Sequence, residues 1–166
     1  MAGRILVIDD NPDIARDFAQ LLGGAGAGHA VLDELEASLF GESGVPLALP
    51  AKSFEVDSAL QGSDGLSRVE QALFENRPYS VAVVDMRMPP GWNGVETSRR
   101  ILEADPRLRI VICSAYAEES QTEVTNALGA DAAVRFLPKP FDPNVARKLL
   151  SELQHEWEAA DGSRCA

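Results

Sequence analysis

The sequence is poor in cysteine, in histidine and in positive charge, and each shortage closes a class of function. Two cysteines, Cys113 and Cys165, among 166 residues make neither a disulfide framework nor a metal-ligand spacing, and they imply a reducing cytoplasm. Lys and Arg total 15 against 26 Asp and Glu, a formal net charge of −11 with a pI near 4.6. A chain that acidic lacks the cationic surface that grips a phosphate backbone, so no direct nucleic-acid partner is expected. An anionic membrane surface would repel it for the same reason. No apolar run approaches the roughly 20 residues a membrane span needs. The start, Met1-Ala2-Gly3-Arg4, leads straight into an apolar segment and carries no signal-peptide pattern. The expectation is one soluble, cytoplasmic, acidic domain, its 45% of hydrophobic residues enough for a single core of ordinary size.

What is present is an alternation of short apolar runs with amphipathic stretches. Arg4–Ile8 is continuously apolar and β-branched after its first residue, as a strand buried on both faces should be. Asn11-Pro12 supplies an N-cap and a first helical residue, and Ile14, Phe18, Leu21 and Leu22 then share one helical face up to Gly23-Gly24. Phe54–Ala59 is a second strand, less apolar and so nearer an edge. A helix from about Ser63-Asp64 carries Leu66, Val69 and Leu73 on one face. Val81–Val84 is a third strand. Beyond a Pro/Gly loop, a helix bearing Val95 and Leu102 stops before Asp105-Pro106. Ile110–Cys113, a helix from Ser120 to Leu128, Val134–Leu137 and a last helix from about Pro143 to about Trp157 complete the series, the last with Val145, Leu149, Leu150 and Leu153 inward. Five strands alternating with five helices imply a doubly wound α/β domain with a parallel sheet covered on both faces.

The stretch from Gly24 to Lys52 does not fit the alternation. It holds a Gly/Ala linker, an amphipathic segment from about Ala30 to Phe40 with Val31, Leu32, Leu35 and Leu39, and a Gly/Pro-rich return. Such a segment either packs its apolar stripe on its own domain or forms a docking surface for a partner or a second copy, a homodimer.

In open parallel sheets the functional groups gather beyond the carboxyl ends of the strands. Here the first strand ends in Asp9-Asp10, the third in Asp85 and the fourth in Ser114, and the fifth is followed by Lys139. Each alone could be a turn or capping residue; all of them at one sheet edge make a chemical set. Three carboxylates held close repel one another and invite a cation, and hard oxygen ligands with no His or Cys among them suit Mg²⁺. A carboxylate beside that ion is a nucleophile toward phosphorus, with Lys139 supplying positive charge and the Ser114 hydroxyl a donor to a phosphoryl oxygen. Asp85, at the end of the central apolar strand, is the best nucleophile, and Asp9 and Asp10 are placed as metal ligands.

Four segments in order, Ile-Leu-Val-Ile-Asp9-Asp10, Val-Val-Asp85-Met-Arg-Met-Pro-Pro-Gly-Trp-Asn-Gly94, Ile-Cys-Ser114-Ala-Tyr and Phe136-Leu-Pro-Lys139-Pro140-Phe141, resemble the receiver domain of two-component response regulators. The resemblance covers residues 4 to about 157, so the expected boundaries are a receiver over 1–157 with an insertion at about 25–52 and a polar tail over 158–166. It implies the flavodoxin-like (βα)5 form with sheet order 2-1-3-4-5. It also implies phosphorylation of Asp85 by a histidine kinase or histidine phosphotransfer protein, and Mg²⁺ held by Asp10, Asp85 and the Arg87 carbonyl, with Asp9 acting through water. Ser114 and Phe136 would be a coupled switch pair, Lys139 the family's lysine, and the Lys139–Pro140 bond is often cis. Against the commoner pattern, Ser114 replaces Thr, the loop after Asp85 is one residue longer, and Ala132 to Arg135 lengthen the approach to the fifth strand. Arg87 and Tyr116 stand at positions that tune phosphoryl lifetime, and their bulk predicts slow self-hydrolysis.

The competing readings are a phosphohydrolase of the haloacid-dehalogenase type and a binding module with a vestigial site. The first usually has a second Asp two residues after the nucleophile, where Arg87 stands; the second conflicts with the complete set of acids, Ser114 and Lys139. A signalling module rather than an enzyme is therefore expected, either standing alone or leading a larger sensor kinase or cyclic-dinucleotide enzyme. Gly23–Gly28 fits no phosphate-binding loop and reads as a linker. His29 and His155 read as surface residues, Cys113 as core and Cys165 as tail. Trp92 reads as a partly exposed loop residue, with a recognition role as the alternative.

Overall fold

Four successive side chains of the first apolar run, Ile5 to Ile8, are all buried, which requires cover on both faces of the sheet they enter. The computed structural model describes residues 3–22, 54–129 and 134–162. The expected insertion at about 25–52, with its amphipathic segment, lies outside the described residues, as do His29 and Cys165. Among them the chain runs β1 (Gly3–Ile8), α1 (Pro12–Leu22), β2 (Phe54–Ala59), α2 (Gly62–Phe74), β3 (Val81–Asp85), α3 (Gly94–Ala104), β4 (Arg109–Ser114), α4 (Ala117–Leu128), β5 (Val134–Pro138) and α5 (Pro143–Gly162). The five strands form one parallel sheet in the order β2-β1-β3-β4-β5, the flavodoxin-like arrangement, with the less apolar β2 at an edge.

The period-two alternation of the strands splits the core into two layers. Leu6, Ile8, Ala82, Val84, Ile110 and Ile112 pack with Val69 of α2, Ile101 of α3 and Val124 of α4. Ile5, Val7, Val83, Val111 and Cys113 face the other way, against Phe18 and Leu22 of α1 and Ala146, Leu150 and Leu153 of α5. Phe18 also stacks on Phe141 just ahead of α5, with ring centroids 4.9 Å apart. Among the described residues no helix is long and apolar enough to cross a membrane.

Three expectations need correction. The helix expected from Ser120 begins at Ala117, because Tyr116 occupies the N-cap position without a side-chain capping bond while serine is the commoner cap. On α5 the inward set is Ala146, Leu150 and Leu153, with Leu149 half-buried against the same core as expected; Val145 points to solvent and is 54% exposed. That helix also continues to Gly162, so residues 158–162, expected as tail, are its last turn. Arg107 holds that turn to the foot of the sheet through a 3.0 Å ion pair with Asp161.

Candidate functional site

The carboxyl edge of the sheet collects the polar groups at which the apolar runs stop. Asp9 follows β1 and is buried; its N–H donates to Ala59 O at 3.1 Å and its Oδ1 accepts the Asn11 N–H at 2.9 Å. Asn11 Oδ1 in turn accepts the Asp13 N–H at 3.0 Å, so one carboxylate and one amide side chain turn the chain into α1. Asp10, next in sequence, is exposed at the lip of the site. Asp85 closes β3 in register with Cys113 of β4 and is almost fully buried.

The loop after Asp85 returns against the strand end. The Gly94 N–H donates to Met86 O at 2.9 Å, and a Cβ at Gly94 would lie 2.8 Å from both the Asp85 carbonyl oxygen and the Met86 Cα. Only glycine lets α3 start this close to the Asp85 backbone. Asn93 caps that helix, its Oδ1 accepting the Glu96 N–H at 2.9 Å. Two peptide bonds in these loops, Pro89–Pro90 and Lys139–Pro140, are cis.

Lys139 comes from the far end of the chain. Its N–H donates to Ser114 O at 2.9 Å, which ties the β5–α5 loop to the end of β4. Its Nζ lies 3.1 Å from Asp9 Oδ2 and 3.2 Å from Asp85 Oδ1. Carboxylate oxygens of Asp9, Asp10 and Asp85 all lie within 4.8 Å of one another. Among the described residues, three acids thus face one lysine. Burial, and then the Asp9 charge, raise the Asp85 pKa above the ordinary aspartate value, while Lys139 pulls it back down. At Lys139 burial opposes the charge, but hydrogen bonds and attraction from Asp9 and Asp85 outweigh it, and its pKa is raised. An excess of negative charge held by oxygen donors alone, with no His or Cys sulfur or nitrogen among them, is a donor set suited to a hard divalent cation.

The structure therefore brings together Asp9, Asp10, Asp85 and Lys139, with Ser114 buried at the end of the adjacent strand. Arg87 is exposed; its N–H makes only a long 3.5 Å approach to Asp85 Oδ1, and its guanidinium lies 5.3 Å from the centre of the Tyr116 ring. Phe136, half-buried on β5, is in register with Ile112, while Ser114 is in register with Pro138. Phe136 and Ser114 thus share one face of neighbouring strands, two residues apart in register. The ring borders a cleft of about 380 Å³ between α4 and β5.

Two features escaped the sequence. Ser120, read as a helix start, is buried in α4 with its hydroxyl 2.9 Å from that of Ser114. Trp92 is half-buried beneath Arg100, whose guanidinium lies 4.2 Å from the ring centre. A polar residue six positions past a strand-end serine carries no motif, and a tryptophan in a Pro/Gly loop gives no sign of which arginine will cover it. Cys113 is buried in β4 as expected, and burial pushes its thiol up to about 12. His155 lies on the surface.

The sequence model of the response regulator receiver domain matches residues 43–151. The chemotaxis protein CheY of Treponema pallidum is 30% identical over 131 residues, 78% of this chain and 85% of that protein. The sporulation initiation phosphotransferase F of Bacillus subtilis is 30% identical over 92 residues, 55% of this chain and 69% of that protein. Among solved structures, a CheY-like response regulator receiver domain protein from Methanospirillum hungatei superposes with a TM-score of 0.67 at 21% identity, covering 96% of this chain and 99% of that one. At that identity the superposition speaks for the fold.

Proposed function

Because the chain belongs to the response regulator receiver domain family, we propose that Asp85 is its phosphoryl acceptor and that the donor is a phosphohistidine on a histidine kinase or phosphotransfer protein. The observation that carries this is the Lys139 ammonium lying between Asp9 and Asp85, with the Asp10 carboxylate on the same site. In the transfer an Asp85 oxygen forms a bond to phosphorus as the phosphorus–nitrogen bond of the donor breaks. The imidazole leaves with the bond's electron pair and takes a proton from solvent. Such a reaction asks mainly for alignment and charge neutralisation. Asp10, Asp85 and the Arg87 carbonyl would hold Mg²⁺, with Asp9 acting through water. The ion, when bound, offsets the charge of the incoming phosphoryl oxygens. Lys139 meets a phosphoryl oxygen from the opposite side, and the Ser114 hydroxyl donates to another.

The receiver then runs through α5 to Gly162, with 25–52 as an insertion, and the result of phosphorylation is a changed surface for a partner, with Ser114 and Phe136 coupling the two. The haloacid-dehalogenase reading lacks an acid at Arg87, whose exposed side chain turns to Tyr116 instead. The test is to treat the protein with phosphoramidate, with and without Mg²⁺, and follow intact mass. A single adduct that needs Mg²⁺ and is lost in Asp85→Asn is expected. An unmodified wild-type protein, or equal modification of the variant, overturns the assignment.

A further inference from the structure

Among the described residues the Ser114 hydroxyl takes two hydrogen bonds, and both come from the α4 side of the strand end. The Tyr116 N–H donates to its Oγ at 3.0 Å and the Ser120 hydroxyl at 2.9 Å. Lys139 and Asp85 are engaged with each other, Lys139 also with Asp9, and neither bonds to the Ser114 hydroxyl. Ser120 is only 3% exposed, in the first turn of α4, and its N–H is spent on Tyr116 O at 3.0 Å. Ser114 also carries one rotatable bond to its hydroxyl, with staggered wells that move the oxygen by roughly 2 Å from one to the next. Such a step takes it out of reach of a partner 2.9 Å away.

We propose that Ser120 is a positioning residue that parks the Ser114 hydroxyl toward α4 and so sets the threshold for the phosphorylated conformation. This rests on the reading of Asp85 as phosphoryl acceptor and Ser114 as donor to the phosphoryl group. For Ser114 to turn to a phosphoryl oxygen it must leave Ser120, and a buried hydroxyl that loses its partner is costly. The link therefore favours the unphosphorylated arrangement and opposes any ligand that needs the other one. A neutral hydrogen bond of this kind shifts such an equilibrium by about two- to tenfold. A cleft of about 180 Å³ lined by Arg87, Asn93, Tyr116, Glu119 and Ser120 opens beside the pair.

The experiment is a fluoride–beryllium titration in saturating Mg²⁺, read by tryptophan fluorescence, on wild type, Ser120→Ala, Ser114→Ala, the double variant and Asp85→Asn. Ser120→Ala is expected to bind the phosphoryl mimic about two- to tenfold more tightly, and to have no effect once Ser114 is alanine. Thermal melts of the ligand-free proteins check folding, and Ser120→Cys, similar in size with a weaker hydrogen bond, shifts the same way should the alanine variant not fold. Unchanged or weaker binding in Ser120→Ala overturns the proposal. So does an equal tightening in the Ser114→Ala background, which would mean that Ser120 acts through packing of α4. If Asp85→Asn binds as well as wild type, the reading of the site itself fails; if it does not bind and Ser120→Ala is silent, the parking role alone fails.

Discussion

Replacing Lys139 by methionine keeps the length of the side chain and removes the cation that lies between two buried-edge carboxylates. At the observed separations of 3.1 and 3.2 Å, each lysine–aspartate attraction is worth about 5 kcal/mol before desolvation at an effective dielectric constant of about 20. Most of that is offset by the cost of taking the charges from water, and the lysine side chain remains 25% exposed. Breaking the pair while leaving both aspartates in place should therefore cost about 1–3 kcal/mol, below the range for a fully buried pair. The loss must depend on pH in a particular sense. The folded-state pKa of Asp85 is already raised, and without Lys139 it rises further. An acid of that kind contributes stability that is present below its unfolded pKa and disappears as pH rises through the folded value. Urea denaturation in EDTA should thus show the full deficit near pH 7.5 and a much smaller one near pH 4. Excess Mg²⁺ at pH 7.5 should restore part of it, because an ion that binds only the folded carboxylates adds stability by mass action. A deficit equal at both pH values, or one that Mg²⁺ leaves untouched, would refute the electrostatic account of the site.

Three other outcomes follow from the same geometry. Gly94→Ala drives a Cβ to within 2.8 Å of backbone atoms of Asp85 and Met86, which cannot rotate away, so denaturation should show a loss of about 1–3 kcal/mol; a variant as stable as wild type would contradict that close approach. Cys113, with its thiol raised to about 12 by burial, should resist iodoacetamide in the folded protein and react only on unfolding, as peptide mapping would show. Arg87, two residues past Asp85, sets its guanidinium 5.3 Å from the centre of the Tyr116 ring; with Asp85 as phosphoryl acceptor, this bulk should slow hydrolysis of the aspartyl phosphate and Arg87→Ala should shorten its lifetime. A wild-type half-life of only a few seconds, followed by intact mass, would sink that last expectation.

The fold was legible because its strands are continuous apolar runs and their ends are charged. Ile5 to Ile8 and Val81 to Val84 leave little choice but a sheet covered on both faces, and Asp9, Asp85 and Ser114 mark where the cover stops. The acids and the lysine were legible as a set for the same reason, since parallel strands bring their carboxyl ends to one edge. What the sequence hid were contacts that depend on helix phase. Val145 looked inward by spacing, yet a small rotation of α5 buries Ala146 instead and leaves the valine in solvent. The start of α4 was displaced because serine is a favoured cap, whereas the structure spends the Ser120 hydroxyl on Ser114. Trp92 is covered by Arg100, one of two arginines that share Glu96, whose carboxyl they hold down at about 2.

The ion pair between Asp9 and Lys139 joins positions 130 residues apart, one just after the first strand and the other just after the last. A chain that ends before β5 has the aspartates of this edge without the Lys139 that pairs with them in the complete domain. The charge balance of this edge is in that way tied to completion of the fold: it is reached only when both ends of the domain have met.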